Sequence, residues 1–237
     1  MINQSNKEFM NIPIKAIIFD MDGTIIETEH IWKYATATLL TSRGITITPE
    51  LEHELSMRLA GLSSRECCII IKELTNISDS VESLMLEKSK LANDVYEQGI
   101  RLIHGFQAFH TVAKSLNLKI GLATNVSAQT VAITNKKLNL TQFFGQHMYN
   151  ISHVNFIGKP NPDIYLHAAQ QLDVDPKHCI AIEDSAHGIQ AAQKAGMFCI
   201  GINTSQKPEL LQKANLIING YHEIDLPNIM DKLNIKS

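Results

Sequence analysis

The chain has 237 residues, more than the commonest single domain and fewer than two average ones, so one large domain or a core carrying a smaller insert is expected. Hydrophobic residues make up 44% and charged ones 19%, near globular averages, which excludes disordered, collagen-like and coiled-coil chains. With 21 basic against 24 acidic residues the formal net charge is -3, and no cluster of Lys and Arg stands out, so nucleic acid is not expected as a partner.

The N-terminal stretch carries Lys7 and Glu8 where an export signal needs its apolar run, and nowhere do about 18 apolar residues run together. A cytoplasmic protein without a membrane segment is expected. Cys67, Cys68, Cys179 and Cys199 are spaced unlike zinc or redox patterns and are taken as packing residues of a reduced compartment.

The first apolar run, residues 14–19, is continuous rather than alternating, as expected of a strand covered on both faces. The rhythm then breaks, because about a hundred residues separate Phe19 from Lys119 where a crossover needs only a dozen or so. This stretch has no convincing strand. It has helical starts at Thr48-Pro49-Glu50, a capping box from Ser63 to Glu66, and a second box from Asp79 to Glu82. The last opens a helix with Val81, Leu84, Met85, Leu91 and Val95 on one stripe. Residues 27–97 are therefore expected to form a small all-helical cap domain, hinged near Glu27 to Glu29 and Gly99 to Gly105. Residues 1–26 and 98–237 form the core.

Beyond the insert, apolar runs at 119–123, 179–182, 197–202 and 216–218 alternate with helical patterns over 106–116, 127–138, 162–172 and 185–195. Asn161 with Pro162 reads as a cap and a first-turn proline, and Ser185 with Gly196 brackets another helix. The fold class is α/β, a doubly wound parallel sheet with an inserted helical cap.

Ligands of such sheets collect beyond the carboxyl ends of the strands. Three runs end there in chemistry, in Asp20 with Asp22, in Thr124 with Asn125, and in Glu183 with Asp184, while Lys159 lies in a loop before a capped helix. This set suits phosphoryl transfer, in which a dianionic ester needs a cation on its oxygens and a second positive group opposite. Asp20 and Asp184 offer hard oxygen ligands for Mg²⁺, and Lys159 offers the other charge. Asp20 can attack phosphorus without a helper base, giving an aspartyl-phosphate, and Asp22 can serve as acid and then base.

Each position also has an ordinary reading. Asp-x-Asp-Gly occurs in turns, Thr124-Asn125 can cap a helix, Lys159 can be solvated, and Glu183-Asp184 suits a helix start. Their joint occurrence where strands stop favours a site. A calcium loop is excluded, because Ile25 and Ile31 occupy its Gly and Glu positions.

The segments Phe19-Asp20-Met21-Asp22-Gly23-Thr24, Ala123-Thr124-Asn125, Lys159-Pro160-Asn161-Pro162-Asp163 and Glu183-Asp184-Ser185, the last followed by Gly188, Ala191, Ala192, Ala195 and Gly196, resemble the four signatures of the haloacid dehalogenase superfamily. Their order and the helical insert are similar to the small-cap subgroup of β-phosphoglucomutase and sugar-phosphate phosphatases, over about 14–219 of the chain. The resemblance implies a Rossmann-like core, with Asp20 as nucleophile, Asp22 as acid and base, and Thr124, Asn125 and Lys159 binding the phosphoryl group. It also implies Mg²⁺ on Asp20, Asp184 and the backbone carbonyl of Asp22, with Glu183 a further ligand or an outer partner. Dehalogenases of the superfamily lack an aspartate at position 22, so dehalogenation is disfavoured.

Departures fall at the hinges, where relatives carry Asp for Glu27 and Pro for His104, and at Trp32, where β-phosphoglucomutase has a histidine. The segment from Glu29 to Trp32 is similar instead to phosphatases of 2-deoxyhexose and hexitol phosphates. The cap should choose the substrate, through Trp32, His30, Gly61 and Arg65, although Trp32 also fits helix packing with Ala35 and Leu39, and Arg65 a solvated first turn. The expected function is a Mg²⁺-dependent phosphatase of a small phosphomonoester, a sugar or polyol phosphate, acting as a monomer. The alternative is a phosphomutase, which Trp32 weakens. A phospho-accepting receiver module is disfavoured because the acceptor ends the first strand and a lid follows it.

Overall fold

The continuous apolar runs become strands of one sheet. A computed structural model describes residues 12–234, the side chain of Asn234 excepted, so Lys7 and Glu8 lie outside the described residues. Among these, β1 (Ala16–Phe19), β2 (Lys119–Thr124), β3 (Met148–Asn150), β4 (Cys179–Glu183), β5 (Phe198–Ile202) and β6 (Leu216–Ile218) are all parallel, in the order β3-β2-β1-β4-β5-β6. The chain leaves β1 toward β2 and β3, then returns to the other side through β4. The direction of winding thus switches between β1 and β4, where a crevice opens at the carboxyl ends.

Successive residues of a strand face opposite sides, and β1 supplies both halves of the core accordingly. Ile17 and Phe19 join a cluster with Phe106 and Phe109 of α5 (Phe106–Ser115), Val131 of α6 (Ala128–Leu138) and Phe144 of the short α7 (Thr141–Phe144). Phe19 meets Phe106 edge to face at 5.5 Å. Ala16 and Ile18 face α8 (Asp163–Gln171) and α9 (Ala186–Lys194), whose Ala168, Ala169, Ala191 and Ala192 let helix and sheet approach closely.

The insert after β1 is all helical, formed by α1 (Glu29–Thr41), α2 (Pro49–Leu59), α3 (Ser64–Thr75) and α4 (Val81–Gln98). It carries its own apolar cluster, including Leu39, Leu40, Leu55, Cys68, Ile71 and Leu84. Thr48 caps α2 by accepting from the Leu51 amide, and Ser63 with Glu66 makes the reciprocal box expected for α3. The start of α4 differs by one residue. Ser80 is the cap, and Asp79 is drawn away by Arg43 at 2.8 Å. Pro162 likewise occupies the cap position of α8 instead of its first turn, because the Asn161 side chain donates back to the Gly158 carbonyl at 3.0 Å.

The two linkers to the insert run beside each other, with the Glu27 amide donating to the Arg101 carbonyl at 3.0 Å and the Ile103 amide to the Ile25 carbonyl at 2.9 Å. All four cysteines are buried free thiols, and burial pushes Cys68 up to about 11 and Cys179 up to about 12. Among the described residues no helix is long and apolar enough to cross a membrane.

Candidate active site

Asp20 continues the line of β1, its amide donating to the Ile182 carbonyl at 3.0 Å. The chain then folds back at once, with the Ile25 amide on the Met21 carbonyl at 2.9 Å. Gly23 allows this turn at φ +78, and a Cβ there would lie 2.1 Å from Asp184 Oδ2, so both conformation and space require glycine. The first signature is thereby pressed against the last.

Lys159 is buried beneath these carboxylates. Its Nζ lies 2.5 Å from Asp20 Oδ1 and 2.5 Å from Glu183 Oε1, and donates to the Ala123 carbonyl at 3.0 Å. Glu183 is used up by the protein. Its Oε1 also accepts from the Tyr165 hydroxyl at 2.7 Å, and its Oε2 from Ser185 Oγ at 3.1 Å and the Asp184 amide at 3.2 Å. A Cβ on Gly188 would lie 1.9 Å from Glu183 Oε1, so glycine in the first turn of α9 makes room for that carboxylate. Asp184 Oδ1 accepts from Thr24 Oγ1 at 3.2 Å. One oxygen of Asp20 and one of Asp184 keep no hydrogen bond among the described residues.

Burial pushes Asp20 well above the usual carboxylate range, with Lys159 opposing and Glu183 and Asp22 adding to the rise. Asp184 rises for the same reason, reinforced by the charges of Asp20 and Glu183. Burial alone would lower Lys159, yet Asp20 and Glu183 hold it above its ordinary value. Ligand atoms of Asp20, Glu183 and Asp184 lie within 4.8 Å of one another, and one lysine does not balance three carboxylates. The donor set, with spare oxygens on Asp20 and Asp184, fits a hard divalent cation such as Mg²⁺.

Asp22 belongs to the cap as much as to the core. Its Oδ1 accepts from Trp32 Nε1 of α1 at 3.1 Å and from the Tyr96 hydroxyl at the end of α4. Its Oδ2 is buried without a hydrogen-bond partner among the described residues. Burial raises the affinity of Asp22 for its proton, against the pull of Tyr96 and Trp32. Sequence reasoning missed Tyr96. The available signal was a polar-tipped aromatic continuing the stripe of Leu84, Lys88 and Ala92 at four-residue spacing.

The loop between α2 and α3 is seated on the core. Gly61 (φ +75) approaches Ser185 so closely that a Cβ would lie 2.0 Å from its Oγ. The Gly61 carbonyl accepts from Asn125 Nδ2 at 2.9 Å, Asn125 Oδ1 accepts from the Lys159 amide at 3.0 Å, and Ala60 O lies 2.8 Å from His187 Nδ1. Asn125 therefore ties the cap loop to the lysine loop. Thr124 is buried at the end of β2, its Oγ1 accepting from the Val126 amide at 3.3 Å.

The structure gathers Asp20, Asp22, Thr124, Asn125, Lys159, Glu183 and Asp184 at one sheet edge, with Trp32 and Gly61 above them. Arg65 is not gathered. It pairs with Glu82 at 2.8 Å while 59% exposed, an ordinary surface pair, and His30 is likewise exposed.

The family model of haloacid dehalogenase-like hydrolases matches residues 17–202. A phosphorylated carbohydrates phosphatase of Thermotoga maritima is 29% identical over 184 residues, 78% of this chain and 82% of that protein. The β-phosphoglucomutase of Bacillus subtilis is 31% identical over 206 residues, 81% and 85% of the two chains. A solved hydrolase of the same superfamily from Entamoeba histolytica superposes with a TM-score of 0.81 at 28% identity, over 94% of this chain and all of that one. The chain belongs to the haloacid dehalogenase-like hydrolases, in their β-phosphoglucomutase-like subgroup.

Proposed function

We propose that the chain is a Mg²⁺-dependent phosphatase of phosphorylated carbohydrates, working through an aspartyl-phosphate on Asp20. The observation that carries this reading is the contact of buried Lys159 with Asp20, within a cluster that also holds Glu183 and Asp184. Lys159 donates to Asp20 Oδ1, and of the two Asp20 oxygens one attacks phosphorus while the other faces the cation. As that bond forms, the ester P–O bond breaks and its electron pair leaves with the alcohol oxygen, which takes a proton from Asp22. Water then attacks the aspartyl-phosphate, Asp22 accepts its proton, and the bond to Asp20 breaks to release inorganic phosphate.

Asp20, Asp184 and the backbone carbonyl of Asp22 would hold Mg²⁺, which when bound neutralises phosphoryl oxygens that would otherwise repel Asp20. Glu183 acts outside this set, because both its oxygens are taken, and its role is to keep Lys159 charged and in place. Thr124 and Asn125 are assigned to the phosphoryl group. Residues 27–97 act as the cap domain over a core of 1–26 and 98–237, excluding bulk water through the seated Gly61 loop. The substrate is a small phosphorylated metabolite, as the carbohydrate phosphatase among the relatives suggests. Phosphomutase activity is not favoured, since Trp32 stands where the mutase reading needs a histidine.

The test is phosphate release from hexose, hexitol, glycolate and nucleoside monophosphates, with and without Mg²⁺. Asp20→Asn should lower kcat on the order of 10⁴-fold or more, as loss of a nucleophile does. Release by that variant at the wild-type rate would end the proposal.

A further inference from the structure

Tyr165 is an aromatic of the core whose polar tip reaches the site. It lies in the first turn of α8, six residues after Lys159, and is fully buried in the cluster that holds Ile18, Ala181 and Cys199. A buried tyrosine needs a partner for its hydroxyl, and here the partner is Glu183 Oε1 at 2.7 Å. An ionised carboxylate only accepts, so the hydrogen comes from the tyrosine. The same Oε1 accepts from Lys159 Nζ at 2.5 Å. The Tyr165 oxygen lies 3.4 Å from that Nζ, and the ammonium stands 4.8 Å from the centroid of the Tyr165 ring. Tyrosine, lysine and glutamate thus close a triangle next to Asp20.

An ammonium has three hydrogens, and those of Lys159 go to Asp20 Oδ1, Glu183 Oε1 and the Ala123 carbonyl. The first reaches the proposed nucleophile, and the other two are anchors. Ala123 is backbone of β2 and stays where the sheet puts it, whereas Glu183 is a side chain that must itself be held. Ser185 Oγ and the Asp184 amide fix its Oε2, and Tyr165 fixes its Oε1. We infer that Tyr165 is a positioning residue, whose hydroxyl holds the Glu183 carboxylate and through it aims the Lys159 ammonium at Asp20 and the phosphoryl group. Lysine carries its charge on a flexible stem. Without the tyrosine donor, Oε1 turns to Lys159 alone and draws the ammonium back into the volume that the hydroxyl leaves. The inference rests on the phosphatase reading and adds to it a residue that touches no reacting atom.

The test is a double-mutant cycle of Tyr165→Phe with Glu183→Gln in the full chain with Mg²⁺. It is read as kcat/KM on p-nitrophenyl phosphate and as Kd for inorganic phosphate by calorimetry. Tyr165→Phe keeps the ring and should lower kcat/KM and phosphate affinity on the order of tenfold each, the low end for a hydrogen bond to a charged group. In the Glu183→Gln background, where the anchor is already weakened, the same substitution should change either quantity by less than about twofold. A packing role gives equal losses in the two backgrounds, and that result would overturn the inference. So would wild-type phosphate affinity and kcat/KM in Tyr165→Phe. p-Aminophenylalanine at position 165 returns a donor to the same place and should recover most of the loss; no recovery would count against the hydroxyl. Should Tyr165→Phe fail to fold, 4-fluorophenylalanine at position 165 fills the lost volume without a donor and is read in its place. A wild-type chain that binds phosphate but turns over no ester would overturn the phosphatase reading instead, leaving the calorimetric cycle to judge Tyr165.

Discussion

Asp22 is held by one oxygen only. Tyr96 and Trp32 both donate to Oδ1, while Oδ2 is buried with no partner among the described residues, so in the proposed mechanism Oδ2 is the oxygen that would carry the proton. Tyr96→Phe removes one anchor and leaves the other, so the carboxyl gains freedom without losing its place. Stability should fall by about 1 kcal/mol, the usual worth of one hydrogen bond. Turnover of alkyl phosphates, whose leaving oxygen needs a proton, should fall on the order of tenfold. Phosphorylation of Asp20 by p-nitrophenyl phosphate, followed as a pre-steady-state burst, should fall much less because that leaving group departs unprotonated. Equal losses on both esters would reduce Tyr96 to a packing role. The contrast between Tyr96 and Asp20 also shows what a sequence discloses. Asp20, Thr124 and Asp184 announce themselves because polar groups interrupt apolar runs where strands stop. Tyr96 sits inside a helix on the face where an aromatic reads as core, and only Asp22, 74 positions earlier, makes it a donor.

Besides helix contacts such as Thr130 to Asn93, cap and core meet through a loop with no regular structure. The loop from Ala60 to Ser63 is fixed by backbone carbonyls to Asn125 and His187 and by the approach of Gly61 to Ser185. Gly61→Ala should therefore unseat the loop, since its Cβ meets Ser185 Oγ and its positive φ costs an L-residue roughly 1–2 kcal/mol. The expected result is a loss of kcat/KM on the order of 10- to 100-fold, because a misplaced lid admits water and misaligns Asp22. The melting temperature should fall by only a few degrees, about 2–4 °C per kcal/mol for a chain of this size, as the cap helices keep their own cluster. Thermal denaturation beside steady-state kinetics checks both, and a variant with wild-type kcat/KM would show that this contact is not needed for closure. The helices were legible where a side chain caps them, as Thr48, Ser63, Ser127 and Ser185 do. α1 has no such mark, since Thr28 makes no side-chain cap bond, and β3 is a three-residue edge strand paired only to β2, too short to show a pattern. Arg65 could not be placed from sequence for a related reason: its position after the Gly61 loop is local information, and Glu82, with which it pairs, lies in the first turn of another helix.

At the scale of the whole molecule, a chain with a modest net charge of -3 concentrates carboxylates where winding of the sheet reverses. Without a cation this arrangement works against folding. Asp20 and Asp184 bind protons more tightly in the folded state than the unfolded value of about 3.9, so the folded chain carries more protons above that pH. Stability of the metal-free protein should therefore fall as pH rises from the ordinary carboxylate range through the raised folded values. Lys159 does not cancel this, because its own raised value keeps its contribution fully present below the unfolded lysine range. On the proposed reading Mg²⁺ would bind the ionised carboxylates and reverse the sign. At a hundredfold excess over Kd it should add about 2.7 kcal/mol, or roughly 5–10 °C in melting temperature for a chain of this size. The gain should be larger at pH 7.5 than at pH 5, with protons released into weakly buffered solution on binding. Differential scanning fluorimetry across pH and Mg²⁺ concentration reads the shift, and calorimetry in two buffers of different ionisation enthalpy reads the protons. Asp184→Asn should abolish the Mg²⁺-dependent shift while raising metal-free stability at neutral pH. A shift that is equal at both pH values, or that survives Asp184→Asn, would mean that the charge gathered at this edge is not the charge a divalent ion neutralises.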